Sequence, residues 1–235
     1  MAHMNLGKYI LLDRLAKGGM AEVYLAKNEI SHDIKKLVAI KKILPSFESE
    51  QDFISMFKEE AKILLRLNHK NIVSTYDFGI HNTQFYIVME YVHGRSLRQF
   101  RTDLKRRGAR LNLEHILFIG QEVAFGLQYA HEFKDISWQK DLQIIHRDIS
   151  PHNIMIGFDG QVKLIDFGIA KTELQIEQTR NGAIKGKLGY MSPEQVLGED
   201  LDFRTDLFSL GIILWELITN KRLMNFGDDL SVQDF

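Results

Sequence analysis

The chain has 235 residues, a formal net charge of −1, 45% hydrophobic residues and no cysteine. The apolar fraction suffices for a sizeable core, and the near-zero charge gives no sign of a general nucleic-acid or membrane-surface binder. Lack of cysteine excludes disulfides and thiolate metal sites and fits a reducing compartment, so we predict a cytoplasmic protein. The N-terminus has no apolar run of the signal-peptide type, and the most apolar stretch, Leu207 to Ile218, is too short to span a bilayer.

The first 90 residues are predicted to be mainly strands. Between residues 9 and 43, three segments rich in β-branched residues are separated by short breaks. Residues 50–67 then carry apolar side chains at helical spacing, which predicts an amphipathic helix: Phe53, Met56, Phe57, Ile63, Leu64 and Leu67. Two more strands are predicted in NIVSTYDFGI and QFYIVMEYV, and Gly94 ends this part.

Beyond Gly94 the pattern is mainly helical. Helices are predicted in LRQFRTDLKRRG, LEHILFIGQEVAFGLQYAHEF and DLFSLGIILWELIT, with short strands in NIMIGFDG and QVKLIDFG between them. A strand-rich part followed by a helix-rich part predicts an α+β, two-lobed plan with a hinge near residues 90–94.

Three polar residues of the helix-rich part have the chemistry of a metal-assisted site. Asp148 and Asn153 share a short loop between two apolar segments, and Asp166 follows the apolar run VKLI. A carboxylate and an amide oxygen suit Mg²⁺, which takes oxygen ligands. A second carboxylate nearby can orient a hydroxyl and accept its proton. Taken singly, each motif has a plainer interpretation as a polar surface loop or as a turn after a strand.

These residues stand in the motifs HRDISPHN and DFG, and with three more motifs they occur in the order found in protein kinases. The three are VAIK ending at Lys41, SPE at residues 192–194, and RTDLFSLGIILWEL, which contains Asp206. From about Leu6 to its end, the chain therefore resembles a bacterial, eukaryotic-type (Hanks-type) Ser/Thr protein kinase. The resemblance implies the two-lobed protein-kinase fold, with an N-lobe at 6–90, a hinge at 91–95 and a C-lobe at 96–235.

The same resemblance implies a role for each motif residue. Asp148 would accept the proton of a protein hydroxyl, and Asn153 and Asp166 would hold Mg²⁺, with Mn²⁺ as the alternative ion. Lys41, paired with Glu60, would position the phosphates of ATP. Asp206, on a buried helix, would support the loop that carries Asp148. Further positions implied to bind ATP are Leu15, Ala16, Gly18, Val23, Ala39, Met89, Glu90, Val92 and Met155. For the apolar members of this set, ordinary core packing is a competing explanation.

Three features depart from the family pattern. The glycine-rich loop has Ala16 and Ala21 at two of its three signature positions, which predicts weaker or slower nucleotide binding. Ser150 stands where the family usually has lysine, and Lys187 where it usually has threonine. Because these two side chains meet beside the catalytic aspartate in the family, we hypothesise that Lys187 and Ser150 have exchanged roles. The alternative is that Lys187 is a solvated charge.

Regulation by phosphorylation is predicted from charge. Arg147 and Lys171 could receive a phosphate and order the activation segment, with Thr172 and Thr179 as acceptors. The position nearest the usual phosphorylation site, Ala183, has no hydroxyl, so the segment could also be ordered without it.

The outline differs from the family at two places. The charged segment at residues 132–144 is longer than the usual connection and is predicted to be a surface insertion of unassigned role. The family continues with further helices after the segment ending in LITNKRL, so we expect the catalytic domain to be incomplete, with apolar helix surface exposed. Without those helices, Glu194 should lack its usual arginine partner.

The predicted function is phosphate transfer from ATP to protein substrates, with no nucleic-acid partner and no membrane segment in this chain. The main alternative is a pseudokinase, a nucleotide-binding scaffold with little turnover, which the two alanines and Ser150 favour. Five intact motif residues oppose it, because a scaffold has no need of all five: Lys41, Glu60, Asp148, Asn153 and Asp166. A small-molecule phosphotransferase of related fold would lack the segment MSPEQ, and a Walker-type NTPase is excluded because its motif is absent.

Overall fold

The computed structural model describes residues 5–29, 35–47, 50–135, 140–141, 143–168 and 188–224. The chain divides into two compact units, each with its own sheet and its own core. The first unit consists of the described residues within Met1–Asn68 and Val73–Val92. The second consists of His69–Ile72 and the described residues from His93 onward. A strand-rich unit and a helix-rich unit match the predicted α+β plan.

The first unit is a six-stranded antiparallel sheet with one helix. Its elements are β1 (Asn5–Leu6), β2 (Tyr9–Lys17), β3 (Ala21–Glu29), β4 (Lys35–Ile43), a 3₁₀ turn (Pro45–Phe47), α1 (Gln51–Leu64), β5 (Thr75–His81) and β6 (Gln84–Glu90). The strand order is β1-β2-β3-β4-β6-β5. The strands predicted between residues 9 and 43, and the two after α1, are confirmed.

Alternation of side chains along the strands gives this sheet two apolar faces. One face carries Leu6, Tyr9, Leu11, Ala26, Val38, Ile40, Tyr86 and Val88. The other packs against α1 through Ile43, Phe53, Ile54, Phe57, Ala61, Phe85 and Ile87. Phe53 and Phe57 are buried, as their helical spacing predicted, whereas Ile63 and Leu64 at the end of α1 are only half-buried.

The second unit contains four helices and a small sheet among its described residues. The helices are α2 (Leu97–Arg106), α3 (Leu113–His131), α4 (Pro193–Leu197) and α5 (Arg204–Thr219). The strands are β7 (Gly94–Ser96), a two-stranded ladder of β8 (Lys134–Asp135) and β9 (Lys140–Asp141), β10 (Ile154–Gly157) and β11 (Val162–Leu164). A further 3₁₀ turn covers Leu188–Tyr190.

Two glycines of this unit lie where a side chain would have little room. The sheet order is β11-β10-β7, and Gly94 of β7 lies opposite Gly157 of β10. A Cβ atom on Gly94 would overlap the carbonyl oxygen of Ile156. On α3, a Cβ atom on Gly120 would lie 2.9 Å from the side chain of Leu214 on α5. The three long helices and the strands β10 and β11 are confirmed, whereas β7 was not predicted.

Residues His69–Ile72 belong to the second unit although they lie between elements of the first. The side-chain amide of Asn71 donates to Glu122 Oε2 at 2.7 Å and to the backbone oxygen of Val162 at 2.9 Å. The backbone N–H of Leu164 in turn donates to the backbone oxygen of Asn71 at 2.7 Å. Lys70 adds an ion pair of 3.0 Å to Glu122. These bonds fasten the segment to α3 and β11.

The helix α5 has a buried side and an exposed side. Asp206, Ser209, Ile213 and Glu216 are among its buried residues. Apolar residues on the other side remain 37% to 59% exposed: Leu207, Phe208, Trp215 and Ile218. The expected exposed apolar surface is therefore present on this helix. None of the helices within the described ranges has the length and apolar character needed to cross a bilayer.

Candidate active site

The predicted catalytic loop, residues 146–153, holds Asp148 and Asn153 in direct contact. The side-chain amide of Asn153 donates to the backbone oxygen and to Oδ2 of Asp148, each at 2.8 Å. The backbone N–H of Asn153 donates to the oxygen of Ser150 at 2.9 Å and closes the turn. Because the amide nitrogen of Asn153 is turned to Asp148, its Oδ1 atom is the one suited to a cation.

The strands β10 and β11 carry Asp166 to the same loop. The backbone N–H of Ile165 donates to the oxygen of Asn153 at 3.0 Å, and that of Gly168 donates to the oxygen of His146 at 2.7 Å. The residues on both sides of Asp166 are thus bonded to the catalytic loop. The segment that carries Asp166 is thus bonded to the loop that carries Asp148 and Asn153, within the second unit.

Two positions of the site have left-handed backbone that non-glycine residues rarely adopt. Arg147 has φ 62° and Asp166 has φ 53°. This conformation costs roughly 1–2 kcal/mol per residue, so the surrounding bonds must hold it in place. For Arg147 these bonds run through its peptide group. Its N–H donates to Asp206 Oδ1 at 2.8 Å, and its oxygen accepts from Gln195 Nε2 at 2.9 Å.

Asp206, near the start of α5, is the buried anchor of the catalytic loop. Its side chain is inaccessible to solvent, and Oδ2 accepts from the backbone N–H of His146 at 2.8 Å. The Nε2 atom of His131 lies 2.8 Å from the same oxygen. The support from Asp206 that the resemblance implied is therefore present. The contribution of His131 was missed, because nothing in the local sequence links the end of α3 to α5.

The segment MSPEQ is bonded to both the catalytic loop and α5. Ser192 and Gln195 form a capping box at the start of α4, and Gln195 then reaches the backbone of Arg147. The pattern Ser-x-x-Gln is a known helix-start signature that could have found this cap. Glu194, expected to lack its partner, accepts from the hydroxyl of Thr205 at 2.7 Å. Burial raises the pKa of Glu194, but hydrogen bonds, first that from Thr205, outweigh it and leave that pKa below its ordinary value.

In the first unit, Lys41 and Glu60 form an ion pair. Lys41 Nζ on β4 lies 2.8 Å from Glu60 Oε1 on α1, and the two side chains are 17% and 7% exposed. The neighbouring Glu59 is 62% exposed and pairs with Lys62 on the helix surface. The predicted pairing of Lys41 with Glu60 is confirmed, while its role in positioning phosphate stays a prediction.

Most residues predicted to bind nucleotide lie on neighbouring strands of the first unit. In β-sheet register, Val23 lies opposite Lys41, and Ala39 opposite Met89. The remaining positions in this unit are Leu15, Ala16, Gly18, Glu90 and Val92, of which Leu15 is 44% exposed. Met155 belongs to β10 in the second unit, where it lies between Ser96 and Lys163 in register.

Ser150 has a buried hydroxyl with no hydrogen-bond partner. The residue is 2% exposed, and among the described residues only Ser150 Oγ and Asn71 Oδ1 are buried side-chain polar atoms without a partner. Burial of a polar atom without a partner lowers the free energy of unfolding by about 1–3 kcal/mol.

Four positions of the predicted site lie outside the described residues: Lys171, Thr172, Thr179 and Lys187.

The described residues contain no group of three or more His, Asp or Glu side chains arranged to hold a metal ion. This agrees with the donor set at the candidate site, which has one amide oxygen and one carboxylate. Mg²⁺ is commonly held by one or two protein ligands together with substrate phosphates and water.

Comparison of the sequence with known proteins identifies a family. The family pattern described as "Protein kinase domain" matches residues 9–233. The chain is 41% identical over 229 residues to the tyrosine-protein kinase MasK of Myxococcus xanthus, covering 96% of this chain and 35% of MasK. It is 37% identical over 215 residues to the serine/threonine-protein kinase PrkC of Bacillus subtilis, covering 92% of this chain and 31% of PrkC.

A solved structure gives the same result. The crystal structure of the Mycobacterium tuberculosis PknI kinase domain matches with a TM-score of 0.71 and 26% identity, covering 96% of this chain and 78% of that one. The chain spans about a third of the length of the curated relatives MasK and PrkC. With the matched motifs, the anchored catalytic loop and these relatives, the chain belongs to the protein kinase family.

Proposed function

We propose that the chain is the catalytic part of an ATP-dependent protein kinase that phosphorylates serine or threonine hydroxyls. The observation that carries this proposal is the 2.8 Å bond from Asn153 to Asp148 Oδ2, in a loop anchored by Asp206. Phosphoryl transfer depends mainly on positioning and electrostatics, and a carboxylate fixed in this way is already oriented. The serine/threonine-protein kinases among its relatives support this acceptor class.

In the proposed reaction, Asp148 accepts the proton of the acceptor hydroxyl. The hydroxyl oxygen forms a bond to the γ-phosphorus of ATP, and the bond from that phosphorus to the β–γ bridging oxygen breaks, which leaves ADP. Lys41, held by Glu60, binds α- and β-phosphate oxygens and offsets the negative charge that develops on the leaving group. Asn153 keeps the carboxylate of Asp148 in one orientation throughout.

Asn153 and Asp166 fit a divalent cation by their chemistry. The amide nitrogen of Asn153 is engaged by Asp148, which directs its oxygen to a ligand role. Amide and carboxylate oxygens suit Mg²⁺ and also Mn²⁺. When bound, such an ion neutralises phosphate oxygens and orients them for in-line transfer.

We further propose that Lys187 supplies the amine that the family usually carries at position 150. The side-chain types at positions 150 and 187 are exchanged relative to the family pattern. The buried hydroxyl of Ser150 supports the exchange, because an ammonium group could donate to it and at the same time reach phosphate.

Tyrosine is the second candidate acceptor. MasK, at 41% identity, is named a tyrosine-protein kinase. The lysine that usually marks the Ser/Thr branch is replaced here by Ser150, so the local sequence no longer favours one acceptor. Peptides that differ only in a serine, threonine or tyrosine acceptor distinguish the two classes by their relative kcat/KM.

Regulation is proposed from charge alone. Arg147 and Lys171 would bind a phosphate on Thr172 or Thr179 and thereby order the activation segment. Mass spectrometry after incubation with Mg-ATP tests this proposal. A chain left unmodified at both threonines contradicts the switch.

The function is tested by transfer of labelled phosphate from ATP to the chain itself and to a generic basic protein. We expect the wild type to incorporate labelled phosphate. For Asp148→Asn the rate of incorporation should be lower by a factor on the order of 10² or more. Asp159→Asn, at the exposed turn between β10 and β11, is the matched control and should keep the wild-type rate. Binding of Mg-ATP without transfer would instead favour the pseudokinase alternative.

A further inference from the structure

Glu22 joins β2 and β3, the two strands that flank the tip of the glycine-rich loop, residues 18–21, which we call the phosphate-binding turn. It lies near the start of β3, directly after residues 18–21, and is 8% exposed. Its Oε2 atom accepts a hydrogen bond from the hydroxyl of Tyr24 at 2.8 Å. Its Oε1 atom lies 3.2 Å from Arg14 Nη1 and 3.9 Å from Lys17 Nζ, and both of these cations belong to β2. One carboxylate thus bonds to side chains of both strands.

A third strand contributes a lysine. Lys42 on β4 lies opposite Glu22 in register and is 7% exposed. Its Nζ atom lies 4.9 Å from the centre of the Tyr24 ring, within reach of a cation–π interaction. The hydrogen bond from Tyr24 holds the pKa of Glu22 below its ordinary value, so Glu22 is a carboxylate at neutral pH. We call this set the Glu22 cluster: Arg14, Lys17, Glu22, Tyr24 and Lys42.

The Glu22 cluster lies where the backbone pairing of β2 with β3 is irregular. The register shifts between Arg14 and Ala16, and only the pairs Ala16–Val23 and Lys17–Glu22 remain before the turn. An irregularity of this kind disrupts the ladder locally and bends the strand. Side-chain bonds therefore stabilise the hairpin where its backbone ladder is weakest.

The cluster and the predicted nucleotide-binding residues lie on opposite faces of the sheet. Side chains alternate along a strand, so Glu22 and Tyr24 share one face while Val23 points to the other. Val23 lies opposite Lys41, the predicted phosphate ligand. The side chains of the Glu22 cluster therefore do not share a face with Val23 and Lys41, and they position the turn through the backbone of the hairpin.

The turn itself is held by two further bonds. The backbone N–H of Gly18 donates to the oxygen of Ala21 at 2.8 Å, and that of Leu44 donates to the oxygen of Met20 at 3.0 Å. The side chain of Met20 packs against the apolar cluster under α1. The glycine-rich loop has alanine at two positions where the family has glycine. One hydrogen bond closes its turn internally, and the other joins the turn to the residue after β4.

We infer that the Glu22 cluster is a positioning device that pre-orders the phosphate-binding turn for ATP. This inference rests on the proposed function, because it assigns the cluster to the same nucleotide site. A turn that is already ordered loses less conformational freedom when it binds phosphate. Affinity for the phosphates of ATP should therefore depend on Glu22, while affinity for the adenine end should not.

The experiment measures the dissociation constants of Mg-ATP and of adenosine by calorimetry for wild type and Glu22→Gln. We expect Mg-ATP to bind about tenfold more weakly to the variant and adenosine to bind within about twofold of wild type. Glu22→Asp, which keeps the charge, should recover most of the affinity. KM for ATP should rise while kcat at saturating ATP stays within about threefold.

The sign of the effect separates positioning from simple electrostatics. Removal of a negative charge near the turn would by itself strengthen binding of an anionic phosphate chain. Tighter or unchanged binding of Mg-ATP to Glu22→Gln therefore overturns the inference. Equal weakening of Mg-ATP and adenosine also overturns it, because that result indicates a general structural role.

Two further variants complete the test. Arg14→Gln changes a side chain that is 53% exposed, so it should fold normally and show a smaller loss of the same kind. Its effect should be less than additive with Glu22→Gln, since the two residues share one interaction. Glu59→Gln, on the surface of α1, is the control and should bind both ligands as wild type does. A wild type that binds no Mg-ATP defeats the proposed function as well as this inference.

Discussion

The carboxylate of Asp206 accepts a 2.8 Å hydrogen bond from the backbone N–H of His146, across 60 positions of the sequence. The same carboxylate accepts from the N–H of Arg147, the residue before Asp148. Any shift of the catalytic loop would leave a buried charge without these donors, which is strongly unfavourable. The position of the loop therefore depends on the carboxylate of Asp206.

Asp206→Asn tests this anchor. An amide presents N–H groups where the carboxylate accepted bonds, so at least one loop donor loses its partner. We expect a loss of about 3 kcal/mol in the free energy of unfolding and a fall in kcat on the order of 10²-fold. Urea denaturation and initial-rate kinetics measure the two effects. Asp202→Asn changes an exposed carboxylate just before the same helix; it is the control and should leave the free energy of unfolding nearly unchanged.

The ion pair of Lys41 and Glu60 predicts a difference between two adjacent glutamates. Glu60→Gln removes the charge that orients the Lys41 ammonium, and we expect kcat/KM for ATP to fall on the order of 10²-fold. Glu59→Gln removes an exposed charge from the same turn of α1 and should leave kcat/KM within about twofold. Equal rates for the two variants would argue against a role for the pair.

The exchange proposed for Ser150 and Lys187 predicts strong coupling between the two positions. Lys187→Thr alone removes the amine and should lower kcat on the order of 10²-fold with little change in KM for ATP. The double variant Ser150→Lys, Lys187→Thr restores the family arrangement and should recover most of the lost activity. Additive losses in this double-mutant cycle, or near-normal turnover of Lys187→Thr, contradict the exchange.

The raised pKa of Tyr190 predicts that the folded protein loses stability at alkaline pH. Burial, and then the nearby Glu216 that accepts from its hydroxyl, raise the pKa of Tyr190 from 10.0 to about 12. Because the folded pKa is the higher one, this stability is complete below pH 10 and falls as the pH rises from 10 to 12. The loss amounts to roughly 2–3 kcal/mol, since one pKa unit is about 1.4 kcal/mol.

Urea unfolding at pH 9, 10 and 11 measures this effect. The alkaline loss of stability should be smaller in Tyr190→Phe than in wild type, even though the variant starts from a lower stability at pH 9. Tyr76→Phe, which removes a phenol that is 43% exposed, is the control. Parallel curves for wild type and Tyr190→Phe would show that Tyr190 does not titrate as predicted.

Substitution of glycine by alanine is predicted to change the free energy of unfolding in opposite directions at two positions. At Gly94 a methyl group would overlap the backbone of Ile156, so Gly94→Ala should lower the free energy of unfolding by about 1–3 kcal/mol. At Gly211, inside α5, a Cβ atom would meet nothing within 4 Å. Gly211→Ala should therefore stabilise the protein by about 0.5–1 kcal/mol, through helix propensity. Thermal or urea denaturation compares both variants with wild type.

The regular elements were predictable because each has a periodic apolar pattern in the sequence. The helical spacing of Phe53 and Phe57 predicted α1, and the alternation around Ile40 predicted β4. The strand β7 has only the residues Gly94–Ser96 and no such pattern. It forms because Gly94 lets two backbones approach, which no local rule indicates.

Contacts in the candidate site were predictable only for residues that belong to, or are implied by, the kinase motifs. The kinase motifs predicted the pairing of Lys41 with Glu60 and the anchor at Asp206, and both contacts are present. The partly buried ion pair of Arg101 with Glu216 joins residues 115 positions apart, and no sequence motif links the two. The lobe boundaries at residues 90 and 96, and the roles assigned to single site residues, stay predictions.

The placement of His69–Ile72 in the second unit has a consequence for synthesis on the ribosome. Asn71 leaves the ribosome well before Glu122, Val162 and Leu164, the three residues to which it is bonded. At a translation rate of about 5–20 residues per second, this segment waits several seconds without partners. A nascent chain that stalls before Leu164 would lack the β-bridge between Ile72 and Leu164, so Ile72, which is 1% exposed in the folded protein, would stay more accessible.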